Sequence, residues 1–287
     1  MKKVFVVGGA AMDITGVPEN LCRLRDSNIG TVSLGVGGVG KNISKSLTAY
    51  PDLSVELITA LGNDFRADMI EEACREAGIG LAHALRTEGH GATYLCIMDE
   101  DGDMLCGISD MDIIEKLTPA YLCEKLDLLN SADLVVLDAN LPPESLAYLC
   151  DNLTVPIFYE PVSCAKGARI GEHIGKCYAI KPNRFEAAYL SGCSCDTVRG
   201  VYRASDWFLE QGVQRVFISL GAEGVYWADK DGCGVIAAEC TGVVNTTGAG
   251  DAMCAAIVNG CITGLTTEEC AKNGNHASAL VCARQRT

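Results

Sequence analysis

The strongest chemical signal lies late in the chain, where Asn245-Thr246-Thr247-Gly248-Ala249-Gly250-Asp251 runs into the apolar, small-residue segment Ala252–Cys261. Small residues permit a tight turn into a helix, whose first N–H groups point outward unsatisfied. With the helix dipole they make an anion site. Asp251 is misplaced if the site only binds phosphate, because its own charge repels one. It makes sense as a general base taking the proton of an attacking hydroxyl, while the backbone amides hold charge developing on a transferred phosphoryl group. Alone, Asp251 reads equally well as a favourable first-turn carboxylate.

A second cluster, Gly35-Val36-Gly37-Gly38-Val39-Gly40-Lys41-Asn42, fits several motifs. It satisfies the dinucleotide fingerprint G-x-G-x-x-G, but that motif follows the first strand of a βαβ unit directly, and here the first strand ends at Gly8-Gly9-Ala10. It falls one residue short of a P-loop, since Asn42 stands where a Mg²⁺-binding hydroxyl is required. It also reads as a plain glycine turn before a helix. As a substrate cradle, its glycines let backbone approach a polyhydroxylated ligand, and the Asn42 amide offers a donor and an acceptor to neighbouring hydroxyls.

The two motifs, in this order, resemble the paired signatures of the ribokinase-like (PfkB) carbohydrate and nucleoside kinases. That resemblance implies that Asp251 is the catalytic base and that Gly248, Ala249 and Gly250 form the anion hole. It implies ATP and Mg²⁺ as cofactors. Lys181-Pro182-Asn183-Arg184-Phe185-Glu186 matches the family's Asn-x-x-Glu motif, which positions Mg²⁺ and phosphate largely through water, so Asn183 and Glu186 are the expected nucleotide and metal residues. Ser219, Gly221 and Gly224 match the strand-end loop along the nucleotide, Thr246 belongs to the second signature, and Asn275 falls where the family lines its adenine pocket. Asp13 matches the carboxylate that grips sugar hydroxyls, beside Gly37, Gly38, Lys41 and Asn42. Many members begin the second signature with Asp, which helps bind a monovalent cation; Asn245 stands there in this chain, so dependence on K⁺ is doubtful.

Within that family the chain is most similar to the branch that phosphorylates pseudouridine. The similarity rests on Asp26-Ser27-Asn28-x-Gly30, on Ile108-Ser109-Asp110-Met111-Asp112-Ile113 and on Pro161-Val162-Ser163. The implied reaction is ATP plus pseudouridine giving pseudouridine 5′-phosphate and ADP. Pseudouridine carries an N1–H where uridine has only C5–H, and Asp26, Asn28 or Asp110 could accept it; the same residue types are also ordinary in turns and caps. Another nucleoside or a free sugar is the alternative within the family, and an NAD(P)-dependent oxidoreductase the alternative outside it.

These residues need a scaffold. Short apolar runs at Lys3–Val7, Val55–Leu61, Leu134–Asp138, Val155–Glu160, Tyr178–Lys181 and Val216–Leu220 predict strands. Between them, Lys41–Tyr50, Phe65–Ala77, Pro119–Leu129, Arg184–Leu190 and Val198–Gln211 predict helices. This alternation predicts an α/β fold with a mainly parallel sheet covered on both faces; the resemblance makes it a ribokinase-like three-layer sandwich, one domain over 1–287. Thr31–Val36 and a hairpin across Glu100-Asp101-Gly102 predict a small projecting sheet, a lid drawn from about 15–36 and 92–112, which in the family often mediates dimerisation.

Composition agrees with a globular enzyme. Of 287 residues, 48% are hydrophobic and 21% charged, enough for a large core, and the net charge of −14 argues against an electrostatic nucleic-acid binder. The apolar start, Val4–Met12, follows Lys2 and Lys3 like a signal peptide but is short and meets Asp13, so a buried first strand is expected. No run is long enough for a membrane span. Sixteen cysteines stand without Cys-x-x-Cys spacing beside only 4 histidines, which predicts neither a zinc site nor a disulfide scaffold. They read mostly as small buried residues in a reducing cytoplasm.

Overall fold

In the computed structural model, residues 1–99, 104–239 and 247–283 are described. The hairpin turn at Glu100-Asp101-Gly102 and the positions Asn245 and Thr246 lie outside them. The first part of the chain comprises β1 (Lys2–Val7), β2 (Ala11–Pro18), β3 (Gly30–Gly37), α1 (Val39–Leu47), β4 (Leu53–Ile58), β5 (Ala60–Leu61), α2 (Phe65–Glu76), β6 (Leu85–Arg86), β7 (Thr93–Met98) and β8 (Met104–Asp110). There follow α3 (Pro119–Cys123), α4 (Leu126–Leu129), β9 (Leu134–Asp138), α5 (Pro143–Asn152), β10 (Ile157–Glu160), α6 (Cys164–Gly167), β11 (Ala179–Ile180), α7 (Arg184–Ser191) and α8 (Val198–Gln211). The last part holds β12 (Arg215–Ser219), β13 (Val225–Asp229), β14 (Gly232–Ile236), α9 (Ala249–Ile262) and α10 (Thr267–Cys282).

Among the described residues, the main sheet has eight strands in the order β14-β13-β12-β11-β10-β9-β1-β4, parallel from β4 through β12 and antiparallel at β13 and β14. Strand side chains alternate between faces, and here both faces are apolar. Val4, Val6, Leu134, Val136, Phe158 and Phe217 enter one core with Ile43 and Leu47 of α1 and Met253 and Ile257 of α9. Phe5, Val7, Val135, Leu137, Tyr159 and Ile218 enter the other with Leu146 and Leu149 of α5 and Val201 and Phe208 of α8. Helices therefore cover both faces, giving three layers. The near-continuous apolar runs follow from this double burial.

A second sheet, β3-β2-β7-β8, projects as the expected lid. It starts earlier than the sequence suggests, because β2 begins at Ala11 and carries Asp13 into the lid sheet. The helix expected over Pro119–Leu129 is broken into α3 and α4, with Glu124 capping the first and Lys125 preceding the second. The β13–β14 hairpin and α5 were not anticipated. The hairpin has a local signal, since Asp229 Oδ1 accepts from the N–H groups of Asp231 and Gly232, the Asx-turn chemistry of an Asp-x-Asp-Gly segment.

Cysteines divide more evenly than expected. Cys74, Cys150, Cys177, Cys195, Cys254 and Cys270 are buried core residues, whereas Cys106, Cys123 and Cys233 are exposed; none of these nine is in a disulfide. No described helix is long and apolar enough to cross a membrane.

Candidate active site

The polar residues collect at the carboxyl edge of the parallel strands, the edge where open α/β sheets bind ligands. Gly8 and Gly9 follow β1, Asp138 and Glu160 end β9 and β10, Lys181 follows β11, and Ser219 ends β12. Asp138 is fully buried and accepts from the N–H groups of Gly9, at 2.8 Å, and Asn140, at 2.9 Å. It thereby fixes the turn out of β1 against the start of α1, a role no motif in the sequence announces.

The glycine cluster connects β3 of the lid to α1. Gly38 has φ +93, and a Cβ on it would lie 2.6 Å from Gly9 O; a Cβ on Gly37 would lie 2.0 Å from Asp13 Oδ2. The backbone thus passes directly over the Asp13 carboxylate, a close approach that only glycine allows. Lys41 is buried, its Nζ donates to Val36 O at 2.6 Å and its N–H to Gly9 O at 3.2 Å. The backbone N–H is spent, and the ammonium is turned back onto the carbonyl of its own loop, unlike a P-loop lysine directed at a phosphate. Nor does the cluster follow β1, which removes the dinucleotide reading.

Asp13, Gly38 and Asn42 line one wall of a cleft of about 430 Å³, and Tyr94 and Ser109 of the lid line another. Its far end is formed by Asn140, Val162, Ser163 and Lys166, with Lys166 Nζ donating to Asn140 Oδ1 at 2.7 Å. Val162 sits at φ +65, an uncommon conformation for a β-branched residue that marks this end of the cleft as over-determined by its surroundings. The sequence motif Pro161-Val162-Ser163 pointed to this segment, but Asn140 and Lys166 went unrecognised.

A second cleft, of about 360 Å³, is lined by Ser219, Gly221 and Gly224 after β12, by Ala249 and Gly250 of α9, and by Asn275 and Ser278 of α10. Asn275 is buried and its Nδ2 donates to Ala237 O at 2.8 Å. Ser219, Gly221, Gly224 and Asn275 are the positions expected along a nucleotide, Ala249 and Gly250 those expected in the anion hole, and Ser278 was not anticipated. The smallness of Gly221, Gly224, Ala249 and Gly250 keeps this cleft open.

Between the two clefts stands the first turn of α9. Gly248 caps it at φ +81, and Asp251 occupies its third position. Asn42, from the wall of the first cleft, donates its amide hydrogen bond to the Asp251 carboxylate. Burial pushes the Asp251 carboxyl up to about 6 against the charge of Lys181 and the Asn42 bond. Lys181 lies beneath the turn, its Nζ 3.9 Å from where a Gly250 Cβ would be and 3.2 Å from Glu160 Oε2. Burial opposes its charge, but Glu160 and Glu186 outweigh that and hold Lys181 protonated above its ordinary range.

Asn183 and Glu186 form a reciprocal cap on α7: Asn183 Oδ1 accepts from Phe185 N and Glu186 N, and Glu186 Oε2 accepts from Asn183 N at 2.8 Å. Asn183 also bridges to Ser219, which ties this cap to the second cleft.

The structure does not bring Asp26, Asn28 and Asp110 to the first cleft. Asp26 and Asn28 line a separate concavity on the lid with Arg23 and Leu24, and both ends of the Asn28 amide are spent on Arg23 and Asp26 backbone. Asp110 Oδ2 lies 3.6 Å from His90 Nδ1.

A carboxylate on a helix N-terminus, flanked by a polar cleft and a small-residue cleft, suits phosphoryl transfer. The chain matches the pfkB family carbohydrate kinases over residues 1–287. It belongs to that family. The pseudouridine kinase of Escherichia coli K12 is 33% identical over 284 residues, covering 97% of this chain and 90% of that protein. The guanosine-inosine kinase of Exiguobacterium acetylicum is 25% identical over 289 residues, covering 99% and 95%. The solved Arabidopsis thaliana ribokinase with ribose and ATP has a TM-score of 0.87 at 21% identity, covering 100% of this chain and 95% of its own, a likeness of fold. As a pfkB kinase the chain is a phosphotransferase with an alcohol group as acceptor.

For this pfkB kinase the Asp251 environment predicts a pH profile. A base must be ionised to accept a proton, so if Asp251 is the base, with its carboxyl at about 6, kcat/KM stays high above that pH and falls as pH drops through it. The expected loss is about tenfold per pH unit on the acid side, read from initial rates between pH ~5 and ~8. A flat profile to pH ~5 would remove Asp251 from that role.

Proposed function

We propose that this pfkB kinase transfers the γ-phosphoryl group of ATP to the 5′-hydroxyl of pseudouridine. The observation that carries the reading is Asp251, placed where the polar cleft and the small-residue cleft meet and tied to the former by Asn42. In this reading Asp13 and Asn42 hold the ribose hydroxyls, with Gly37 and Gly38 admitting them close to backbone. Asp251 takes the 5′-hydroxyl proton, and the N–H groups at Gly248, Ala249 and Gly250 hold the charge on the transferred group. Ser219, Gly221, Gly224 and Asn275 receive the nucleotide. Thr246 is assigned to the phosphates by its place in the motif alone. The relative at 33% identity supports pseudouridine, and the relative at 25% makes purine nucleosides the substrates to exclude. A coupled ADP-release assay over pseudouridine, uridine, guanosine, inosine and ribose tests the assignment; highest efficiency on any of the other four would overturn it.

Mg²⁺ is expected with ATP, and the residues fit it. Glu186 is buried, and its Oε1 accepts no hydrogen bond among the described residues, so one oxygen can order a hydrated cation while the other holds the helix cap. Mg²⁺ would neutralise charge on the nucleotide phosphates. Glu186→Gln keeps the cap, since Gln serves a capping box as well as Glu, but removes the charge. The expected result is a half-saturating Mg²⁺ concentration raised about 10-fold or more, with an unchanged melting curve. An unchanged Mg²⁺ titration would refute the role.

The lid supports a homodimer. Val32 and Leu34 of β3 and Leu105 and Ile108 of β8 are exposed, an apolar sheet face that a second copy would cover. Base reading within one copy falls to Asn140, Ser163 and Lys166, whereas Asp26 and Asn28 act only if a second copy's lid loop reaches the cleft. Sedimentation should show a dimer that Leu34→Glu dissociates into monomers; a monomeric native chain would contradict this. A cytoplasmic setting follows from the ATP requirement.

A further inference from the structure

A thiol pair lies outside both clefts, where α9 turns into α10. Cys261 is partly exposed near the end of α9, Cys270 is buried in α10, and the two thiols hydrogen-bond to each other. One guanidinium nitrogen, Arg215 Nη1, lies 3.8 Å from Cys261 Sγ and 3.7 Å from Cys270 Sγ while donating to Leu265 O at 2.9 Å. Arg215 is held over the Tyr178 ring, 5.2 Å from its centroid, so its position is set from two sides. Gly260 lets the helices come together: a Cβ there would lie 2.7 Å from Cys270 Sγ and 3.5 Å from Cys270 Cα. Backbones this close bring neighbouring cysteines toward disulfide range.

The two thiols differ in character. The hydrogen bond from Cys270, reinforced by the Arg215 charge, holds Cys261 below the ordinary thiol value despite burial. The same bond, with burial, pushes Cys270 up. A lowered, accessible thiol beside a cation is the attacking kind, and a buried neighbour that keeps its proton is the resolving kind. Cys150 and Cys177 also hydrogen-bond, but both are buried, so an oxidant reaches neither first.

We propose that Cys261 and Cys270 form a thiol–disulfide exchange site that accepts a small-molecule disulfide as oxidant and closes a covalent link between α9 and α10. The Cys261 thiolate attacks one sulfur of the small disulfide, forming a mixed disulfide and expelling one thiolate. Cys270 gives its proton to that leaving thiolate and attacks Cys261 Sγ, releasing the second thiolate. Two protein thiols are oxidised to one disulfide as one small disulfide is reduced to two thiols. The link joins the helix that carries Asp251 to the helix that carries Asn275, away from either side chain.

The test uses the full chain, reduced and then exposed at pH ~7 to sub-stoichiometric iodoacetamide, with peptide mapping. Cys261 should be labelled ahead of the more exposed Cys106, Cys123 and Cys233. Arg215→Met should slow Cys261 labelling at least about threefold, and Arg215→Lys should retain most of the rate. Excess oxidised glutathione should then yield a peptide pair linked through Cys261 and Cys270, and Cys270→Ser should stop at glutathione on Cys261. Labelling of the exposed cysteines first, or glutathionylation of the native chain without the internal link, would overturn the proposal.

Discussion

Asp251→Asn should lower kcat by about 10²–10⁴-fold while leaving the fold and nucleoside binding nearly intact. The amide keeps the shape of the side chain and can still meet Asn42, but it has no lone pair basic enough to take the hydroxyl proton. The half-buried setting in the first turn of α9 argues the same way. Burial, with a smaller contribution from Asp138, outweighs Lys181, Asn42 and Lys41 and makes an ionised Asp251 costly, so its neutral replacement should not lower the melting temperature. A simple first-turn carboxylate would behave in reverse, with stability falling by a few tenths to about 1 kcal/mol and turnover unaffected. Rate and melting curve measured on the same purified variant separate the two. Near-normal turnover would end the assignment of the base.

Pseudouridine should be preferred over uridine by about 10²–10⁴ in kcat/KM. Both nucleosides carry the same ribose, so Asp13 and Asn42 cannot tell them apart and the base edge must. A cleft arranged around an N–H donor leaves its acceptor buried and unpaired when uridine binds, costing about 1–3 kcal/mol per neutral group and more for a charged one. Asn140, Ser163 and Lys166 stand at the far end of the cleft, held by the Lys166–Asn140 bond and the strained Val162 backbone. Of these only Asn140 and Ser163 carry an acceptor for that N–H, so Asn140→Ala and Ser163→Ala should reduce pseudouridine turnover more than uridine turnover and compress the ratio. Asp26→Ala and Asn28→Ala, on the lid, should compress it only in the dimer; Asp110→Ala, facing His90, should change it little. Equal efficiency on the two nucleosides would defeat the substrate while leaving the kinase.

Much of this arrangement was legible because it depends on local chemistry. Double burial wrote the parallel strands as apolar runs, and the glycine at 248 with the small residues after it announced the tight turn into α9. Asn275, Ser219 and Asn42 were found through the family's spacing, which encodes a geometry the residues alone do not display. Asp138 was missed because Gly9, the partner that gives it its role, reaches it from β1 across parallel strands, while the Asn140 N–H two residues on is an ordinary local contact. Lys166 and Asn140 meet for the same reason, from segments far apart in sequence. Asp26 and Asn28 were legible as polar loop residues, but only the fold reveals that they sit on the outer lid. The β13–β14 hairpin was overlooked although its Asp-rich turn was in view, because the parallel alternation made another antiparallel edge unexpected.

The most direct measurement is the product itself. The chain, incubated with ATP, Mg²⁺ and pseudouridine, should release one ADP per nucleoside consumed, and ³¹P NMR should show one new monoester coupled to the 5′ protons of the ribose. Under the same conditions the Asp251→Asn variant should leave the nucleoside unchanged. ADP release without a phosphorylated nucleoside, or a monoester at any other hydroxyl, would contradict the account.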